Sequence, residues 1–161
     1  MTNFYLLMGV SGSGKSAVGQ ALAHRLGWEF FDADDFHPSV NVDKMAAGIP
    51  LTDADRAPWL ESLRELISTR LTAARPGVLA CSALKERYRQ TLLAGNAGVQ
   101  IVYLKGTFDL IQARMAARSG HYMKPQMLQS QFETLEEPVN ALTVDIRLPI
   151  ETILETILAE R

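Results

Sequence analysis

Short apolar runs alternate along the chain with segments in which apolar residues return every three or four positions. Phe4 to Met8 is a compact apolar run, followed by a stretch with Val18, Leu22 and Leu26 at helical spacing. Glu29-Phe-Phe-Asp32 reads as a short second strand. From Asp53 to Ala74, the positions Trp59, Leu60, Leu63, Leu66, Ile67 and Leu71 mark one face of a long helix that stops before Pro76-Gly77. Val78 to Ser82 and Val99 to Leu104 predict a third and a fourth strand, with helices over Glu86–Leu93, Phe108–Arg118 and Gln126–Leu135. A last strand near Val144–Arg147 precedes a helix from about Ile150 that buries Ile153, Leu154, Ile157 and Leu158. Strand–helix alternation of this kind builds a parallel sheet covered by helices on both faces. No repeat, low-complexity segment or linker interrupts it, so residues 1–161 are expected to form a single domain. Ligands of such sheets bind beyond the carboxyl ends of the strands.

One stretch breaks the apolar logic. Gly9-Val-Ser-Gly-Ser-Gly-Lys-Ser16 follows the first strand directly and fits G-x-x-x-x-G-K-[ST], a turn whose backbone N–H groups surround phosphate oxygens. Gly9, Gly12 and Gly14 suit the backbone conformations and close ligand approach that such a loop needs. Ser11 and Ser13 complete its nucleotide-binding surface. The helix that follows aims its free N–H groups and positive dipole end at the bound anion. Lys15 is placed to reach the β- and γ-phosphates of ATP, and the Ser16 hydroxyl to bind Mg²⁺.

Composition narrows the setting. At 161 residues with 47% hydrophobic content, the chain can bury a substantial core. A formal charge of -2 and a pI near 5.9 give no reason to expect a nucleic-acid partner. No apolar stretch approaches the ~20 residues that span a bilayer, and no basic segment precedes the first apolar run, which points to a cytoplasmic protein without membrane partners. Cys81, the single cysteine, lies among apolar neighbours and is expected to be a structural thiol.

The second strand runs into Asp32-Ala-Asp-Asp35, three carboxylates within four residues, whose mutual repulsion gains nothing in an ordinary turn. Beside a Mg²⁺–triphosphate site the cluster acquires a use. Asp32 closes the strand and is placed to hold a metal-bound water. Asp34 stands one step further out, where it can orient an acceptor hydroxyl and take its proton. Asp35 fits the plainer role of a helix cap.

Further motifs carry a family resemblance: Asp32-Ala-Asp-Asp-Phe-His-Pro38, Asn41-Val-Asp-Lys-Met45, Gly48-Ile-Pro-Leu51, Asp53-Ala-Asp-Arg-Ala-Pro-Trp-Leu60, Cys81-Ser-Ala-Leu-Lys85 with Tyr88-Arg89, and Gly120-His-Tyr-Met-Lys124 followed by Ser130-Gln-Phe-Glu-Thr-Leu135. In order and spacing the chain resembles the bacterial-type gluconokinases, P-loop kinases related to shikimate and adenylate kinases. The resemblance implies a three-layer α/β/α fold with a five-stranded parallel sheet ordered 2-3-1-4-5, a substrate-binding flap over about 37–60 and a lid over about 114–126. It also implies a homodimer. Ala33 stands where that family usually has Gly between the paired aspartates, and it would strain the turn if the position needs a positive φ.

The implied reaction moves the ATP γ-phosphoryl group to the 6-hydroxyl of D-gluconate. A flexible polyhydroxylated acid needs cations at one end of its pocket and mixed hydrogen-bonding groups along it. His37, Lys44, Arg56, Lys85 and Arg89 are the candidates. Arg56 lies near the start of the long helix, where a cation opposes the dipole, which favours a ligand role. Arg89 is preferred to Arg87 only through the family match, and His37 serves equally as a donor to substrate or as part of a turn. In the lid, Arg118 is assigned by resemblance to the phosphates and Arg114 toward the adenine, with Lys124 secondary; Lys15, Asp34 and Arg118 are the catalytic set.

Absent motifs discriminate among alternatives. No aspartate ends the third strand, which leaves the metal role to Asp32. A GTPase-like switch would need a guanine-reading N-K-x-D string that is missing. Shikimate kinases share the glycine loop, paired aspartates and lid, but have a glycine-rich turn where this chain has Cys81-Ser-Ala-Leu-Lys85.

Overall fold

A computed structural model describes residues 2–117 and 125–160. The elements run in the order β1 (Phe4–Met8), α1 (Lys15–Leu26), β2 (Glu29–Asp32), a 3₁₀ turn (Ala33–Phe36), α2 (Ser39–Ala46), α3 (Asp53–Thr72), β3 (Gly77–Ala80), α4 (Glu86–Leu93), β4 (Val99–Lys105), α5 (Phe108–Ala117), α6 (Pro125–Thr134), β5 (Leu142–Asp145) and α7 (Ile150–Ala159). All five strands pair in parallel in the order β2-β3-β1-β4-β5. This is the expected three-layer α/β/α architecture.

The central strand explains why the sheet needs cover on both sides. Every residue of β1 is buried, and successive side chains point to opposite faces. Phe4, Leu6 and Met8 join Trp59, Leu60, Leu63 and Ile67 of α3 and Tyr88 and Leu92 of α4. Tyr5 and Leu7 face the other way, into a cluster with Val18 and Leu22 of α1 and Ile153, Leu154 and Ile157 of α7. Truncating a fully buried residue such as Leu63 to Ala would cost about 2–5 kcal/mol.

Differences from the sequence reading concentrate at strand ends and in one missed helix. β3 stops at Ala80 because Ala83, two residues past Cys81, turns into the left-handed region with φ 44°. β5 occupies Leu142–Asp145, two residues earlier than expected. Its end is closed by Asp145, whose Oδ1 accepts from the Arg147 backbone N–H at 2.9 Å. α2 escaped notice because Val40, Val42 and Met45 leave their apolar surface exposed, so no buried stripe marks it. Ala33 is buried within the 3₁₀ turn and is not among the positive-φ residues, so the Gly-to-Ala departure introduces no such strain.

Candidate active site

The sheet order decides what meets what. β3 lies between β2 and β1, with Asp32 and Leu7 both in register with Ala80. At a strand spacing of ~4.8 Å, that places the aspartate turn and the glycine loop about 10 Å apart, across the end of β3.

The loop itself is built from backbone. Gly12 and Gly14 have φ of 80° and 96°, and a Cβ on Gly12 would come within 2.7 Å of the Met115 Cγ of α5, so only glycine fits there. Gly14 caps α1, and no side chain satisfies the helix's first N–H groups. Free N–H groups, the helix dipole and a cation at one point fit a polyphosphate. Lys15 Nζ folds back to donate to the carbonyls of Gly9 and Val10, each at 3.0 Å. Burial lowers its pKa, opposed by Cys81, Asp34 and Asp32. Those same neighbours show that Lys15 faces the aspartate turn. Ser16 is exposed at the first turn of α1. Its hydroxyl and the Asp32 carboxylate are hard oxygen donors of the kind Mg²⁺ takes while keeping several waters. The Ser13 hydroxyl is buried without a hydrogen-bond partner among the described residues.

The aspartate turn is pinned from two sides. Asp32 Oδ1 accepts from the Asp34 backbone N–H at 2.9 Å, and the Trp59 indole N–H donates to the Ala33 carbonyl at 2.7 Å. Partial burial, and next the charge of Asp32, hold the Asp34 carboxyl above its ordinary pKa, with His37 and Lys15 opposing. His37 stacks on Trp59 with ring centroids 4.2 Å apart and planes 10° from parallel. Burial lowers its pKa, and its Nδ1 lies 3.2 Å from the Asn41 amide nitrogen. With Nδ1 accepting, the neutral ring carries its proton on Nε2 and can donate from there.

Two of the expected cations, Arg56 and Lys85, gather around Tyr88 together with Arg87. Arg56, Lys85 and Arg87 place their charged groups 5.7, 5.6 and 5.8 Å from its ring centroid. Asp53 answers all but Arg56: Tyr88 donates its hydroxyl to Asp53 at 2.5 Å, Lys85 lies 3.6 Å away, and Arg87 forms an ion pair. Arg56 donates to the Leu51 carbonyl at 3.0 Å and to the Tyr88 oxygen at 3.3 Å. Lys44 pairs with Asp55 at 2.8 Å, a carboxylate that also closes the capping box of α3 with Thr52. These contacts pull Asp55 down to about 2, the Lys44 bond first.

Arg89 corrects the sequence reading. It is 1% exposed, and its five N–H donors are spent on the Ala83, Leu84 and Glu136 carbonyls and twice on Glu86. A guanidinium so committed holds the β3–α4 connection and has no donor left for an acid substrate. Arg87 carries the exposed charge instead. Arg114 donates to the Ile146 carbonyl at 2.7 Å, tying α5 to the end of β5. Arg118 and Lys124 lie outside the described residues. Sequence reasoning gave no site role to Tyr88, Asp53, Trp59 and Gln131. For Tyr88, the cluster of charges in neighbouring segments was the available signal, whereas the indole–Ala33 bond had none.

Comparison with known proteins gives the family of the chain. The family described as the AAA domain matches residues 5–141. The thermoresistant gluconokinase of Escherichia coli (strain K12) is 48% identical over 153 residues, covering 92% of this chain and 87% of that protein. The crystal structure of a gluconokinase from Sinorhizobium meliloti 1021 is 43% identical, with a TM-score of 0.88 over 98% of this chain and 90% of that one. A shikimate kinase from Acinetobacter baumannii shares the fold alone, at 20% identity and a TM-score of 0.57, over 100% of this chain and 96% of that one. At these identities over nearly the whole chain, the chain belongs to the gluconokinase family.

Proposed function

We propose that this protein transfers the γ-phosphoryl group of ATP to the 6-hydroxyl of D-gluconate, giving 6-phospho-D-gluconate. The observation that carries the reading is that the sheet register brings the glycine loop with Lys15 and the aspartate turn with Asp34 to the same end of β3, with Arg56 and Lys85 gathered on Tyr88. Bound Mg²⁺–ATP supplies the transferable group and the metal charge that balances it. Ser16 and Asp32 would hold the metal, whose charge would offset that of the phosphates. The N–H groups of Gly9, Ser11, Gly12, Ser13 and Gly14 and the start of α1 line the phosphate cradle, while Arg114 and Arg118 act from the lid, about 114–126.

Asp34 orients the acceptor hydroxyl and takes its proton as the oxygen bonds to phosphorus and the bridge to ADP breaks. Its raised pKa brings it nearer to that of an effective base. Lys15 leaves the Gly9 and Val10 carbonyls to meet the charge that develops on the phosphates. His37 offers its Nε2 proton to a substrate oxygen. Arg56, with Lys85 and Lys44 nearby on the flap side, about 37–60, receives the carboxylate, because its fork is held by one carbonyl and one phenol and by no carboxylate.

The same reading takes the enzyme as a cytoplasmic homodimer that acts on a small molecule without nucleic-acid or membrane partners. Its formal net charge is -2, and among the described residues no helix is long and apolar enough to cross a membrane. The test is ATP consumption with gluconate, with shikimate and with no acceptor. Gluconate-dependent turnover is expected. Turnover with shikimate, or equal hydrolysis without acceptor, would overturn the assignment.

A further inference from the structure

The phosphate loop is held by a residue with no part in the reaction described so far. Gln131, on α6, accepts the Ser11 backbone N–H on Oε1 at 2.7 Å and donates from Nε2 to the Ser11 hydroxyl at 3.0 Å. One planar amide thus grips both the backbone N–H and the hydroxyl of a residue 120 positions away. The Ser11 N–H shares a peptide plane with the Val10 carbonyl, and that carbonyl accepts from Lys15 Nζ at 3.0 Å. A single peptide unit is therefore fixed at both ends, by Gln131 at nitrogen and by the phosphate-binding lysine at oxygen. On the next residue, Gly12, the Met115 side chain of α5 fills the space a Cβ would take. The first half of the loop is braced from outside by α5 and α6, while the second half is continuous with α1.

A loop whose function depends on the direction of its N–H groups is sensitive to the rotation of one peptide plane. Without Gln131 the Val10–Ser11 unit would lose its only side-chain acceptor at nitrogen, and the peptide would be free to turn. Both the resting place of Lys15 and the angle of the following Gly12 N–H would then be lost. We propose that Gln131 is a positioning residue for phosphoryl transfer, which sets the Val10–Ser11 peptide so that Lys15 and the loop N–H groups converge on the terminal phosphate of the nucleotide. The proposal rests on the phosphate-site reading above. Because Gln131 acts at the end of the loop where the Lys15 ammonium lies, its influence is greatest on the nucleotide's last phosphate.

Three variants and two readouts other than turnover test it. In nucleotide-free protein, exchange of the Ser11 amide hydrogen is slow in the parent and is expected to become at least about tenfold faster in Gln131→Ala, from loss of one buried-side hydrogen bond. Gln131→Glu keeps an acceptor for the N–H, and the Ser11 hydroxyl can turn to donate to the second oxygen. It should therefore retain slow exchange while placing a negative charge beside the site. By calorimetric titration, Gln131→Ala should weaken ATP about tenfold with gluconate KM unchanged. Gln131→Glu should weaken ATP by a larger factor than ADP, since its charge meets the terminal phosphate first. Gln131→Leu, which fills the same space without polar groups, should behave like Gln131→Ala and so separates packing from hydrogen bonding. Parental ATP affinity and Ser11 exchange in both Gln131→Ala and Gln131→Leu would overturn the proposal, as would equal losses for ATP and ADP in Gln131→Glu. Failure of the parent itself to bind ATP would instead remove the phosphate site on which the proposal stands.

Discussion

The phosphate side and the acceptor side of the cleft are built on opposite principles. The glycine loop presents backbone: N–H groups, a helix end and positive-φ glycines whose directions are set by covalent geometry. The acceptor side presents side chains, and most of them are occupied with one another. Lys44 is paired to Asp55, Lys85 and Arg87 to Asp53, and Arg89 is sealed among carbonyls. One half is shaped to receive a charge at once; the other must give up internal pairs to do so. On the proposed reading, discrimination between acceptors would arise from which internal pair a ligand can replace, and Arg56, bound to neutral oxygens, would be the cation released at least cost.

The contrast can be broken most severely at Lys15, the side chain that brings a full positive charge to the backbone half. Lys15→Ala should lower kcat by about 10³–10⁵-fold, the range for a cation that stabilises a transferring phosphoryl group, with the melting temperature held. Steady-state kinetics beside a thermal melt would show it, and near-parental turnover would remove the loop from the mechanism. Next comes Asp34→Asn, with a fall of about 10²–10⁴-fold. The base form of Asp34 is the carboxylate, and its pKa lies above the ordinary value, so kcat/KM of the parent should decline as pH drops through that raised pKa. The Asn variant should lack this acid limb; its persistence would assign the limb to another group.

Two arginines sharpen the comparison within the acceptor side. Arg56→Ala should raise the gluconate KM about ten- to a hundredfold, as for a charge-assisted contact of ~1.5–3 kcal/mol, with the ATP KM nearly unchanged. Arg89→Ala should instead cost about 3 kcal/mol of stability, since it strands buried carbonyls of Ala83 and Leu84, and leave the gluconate KM of the folded enzyme alone. Denaturant melts and acceptor titrations on the two variants separate these outcomes, and a reversed pattern would return the carboxylate to Arg89. The smallest effect belongs to Ser13→Ala. Removing a buried hydroxyl that has no partner among the described residues should stabilise the protein by up to about 1 kcal/mol, read as a higher urea midpoint.

This division also governs what could be read from sequence. A phosphate loop is legible because its requirements are local: glycines at fixed offsets, a strand before and a helix after. The sheet order was legible only through resemblance. Arg89 was misread because exposure is a tertiary property. Arg87 and Arg89, two positions apart, point to different sides of one helical turn, and nothing in the local pattern says which side meets the connection after α6. Ala33 was flagged as a source of strain, yet the non-glycine left-handed residues among those described are Ala74 and Ala83, the latter beside the buried guanidinium that holds its carbonyl at 2.7 Å. Gln131 could be seen as part of a motif but not as a brace, since its partner is 120 residues distant.

The indole of Trp59 gives the catalytic turn an optical handle. The chain holds two tryptophans, and Trp59 has the His37 imidazole stacked on it and a hydrogen bond to the residue between the paired aspartates. An excited indole loses its emission to a protonated imidazole far more readily than to a neutral one. Emission from Trp59 is thus coupled to the charge on His37 and to the spacing of the two rings, both of which an arriving acceptor would alter. In a Trp28→Phe background the remaining signal would follow that turn alone, so that acceptor binding could be timed in the native chain without a label and without waiting for the phosphate to move.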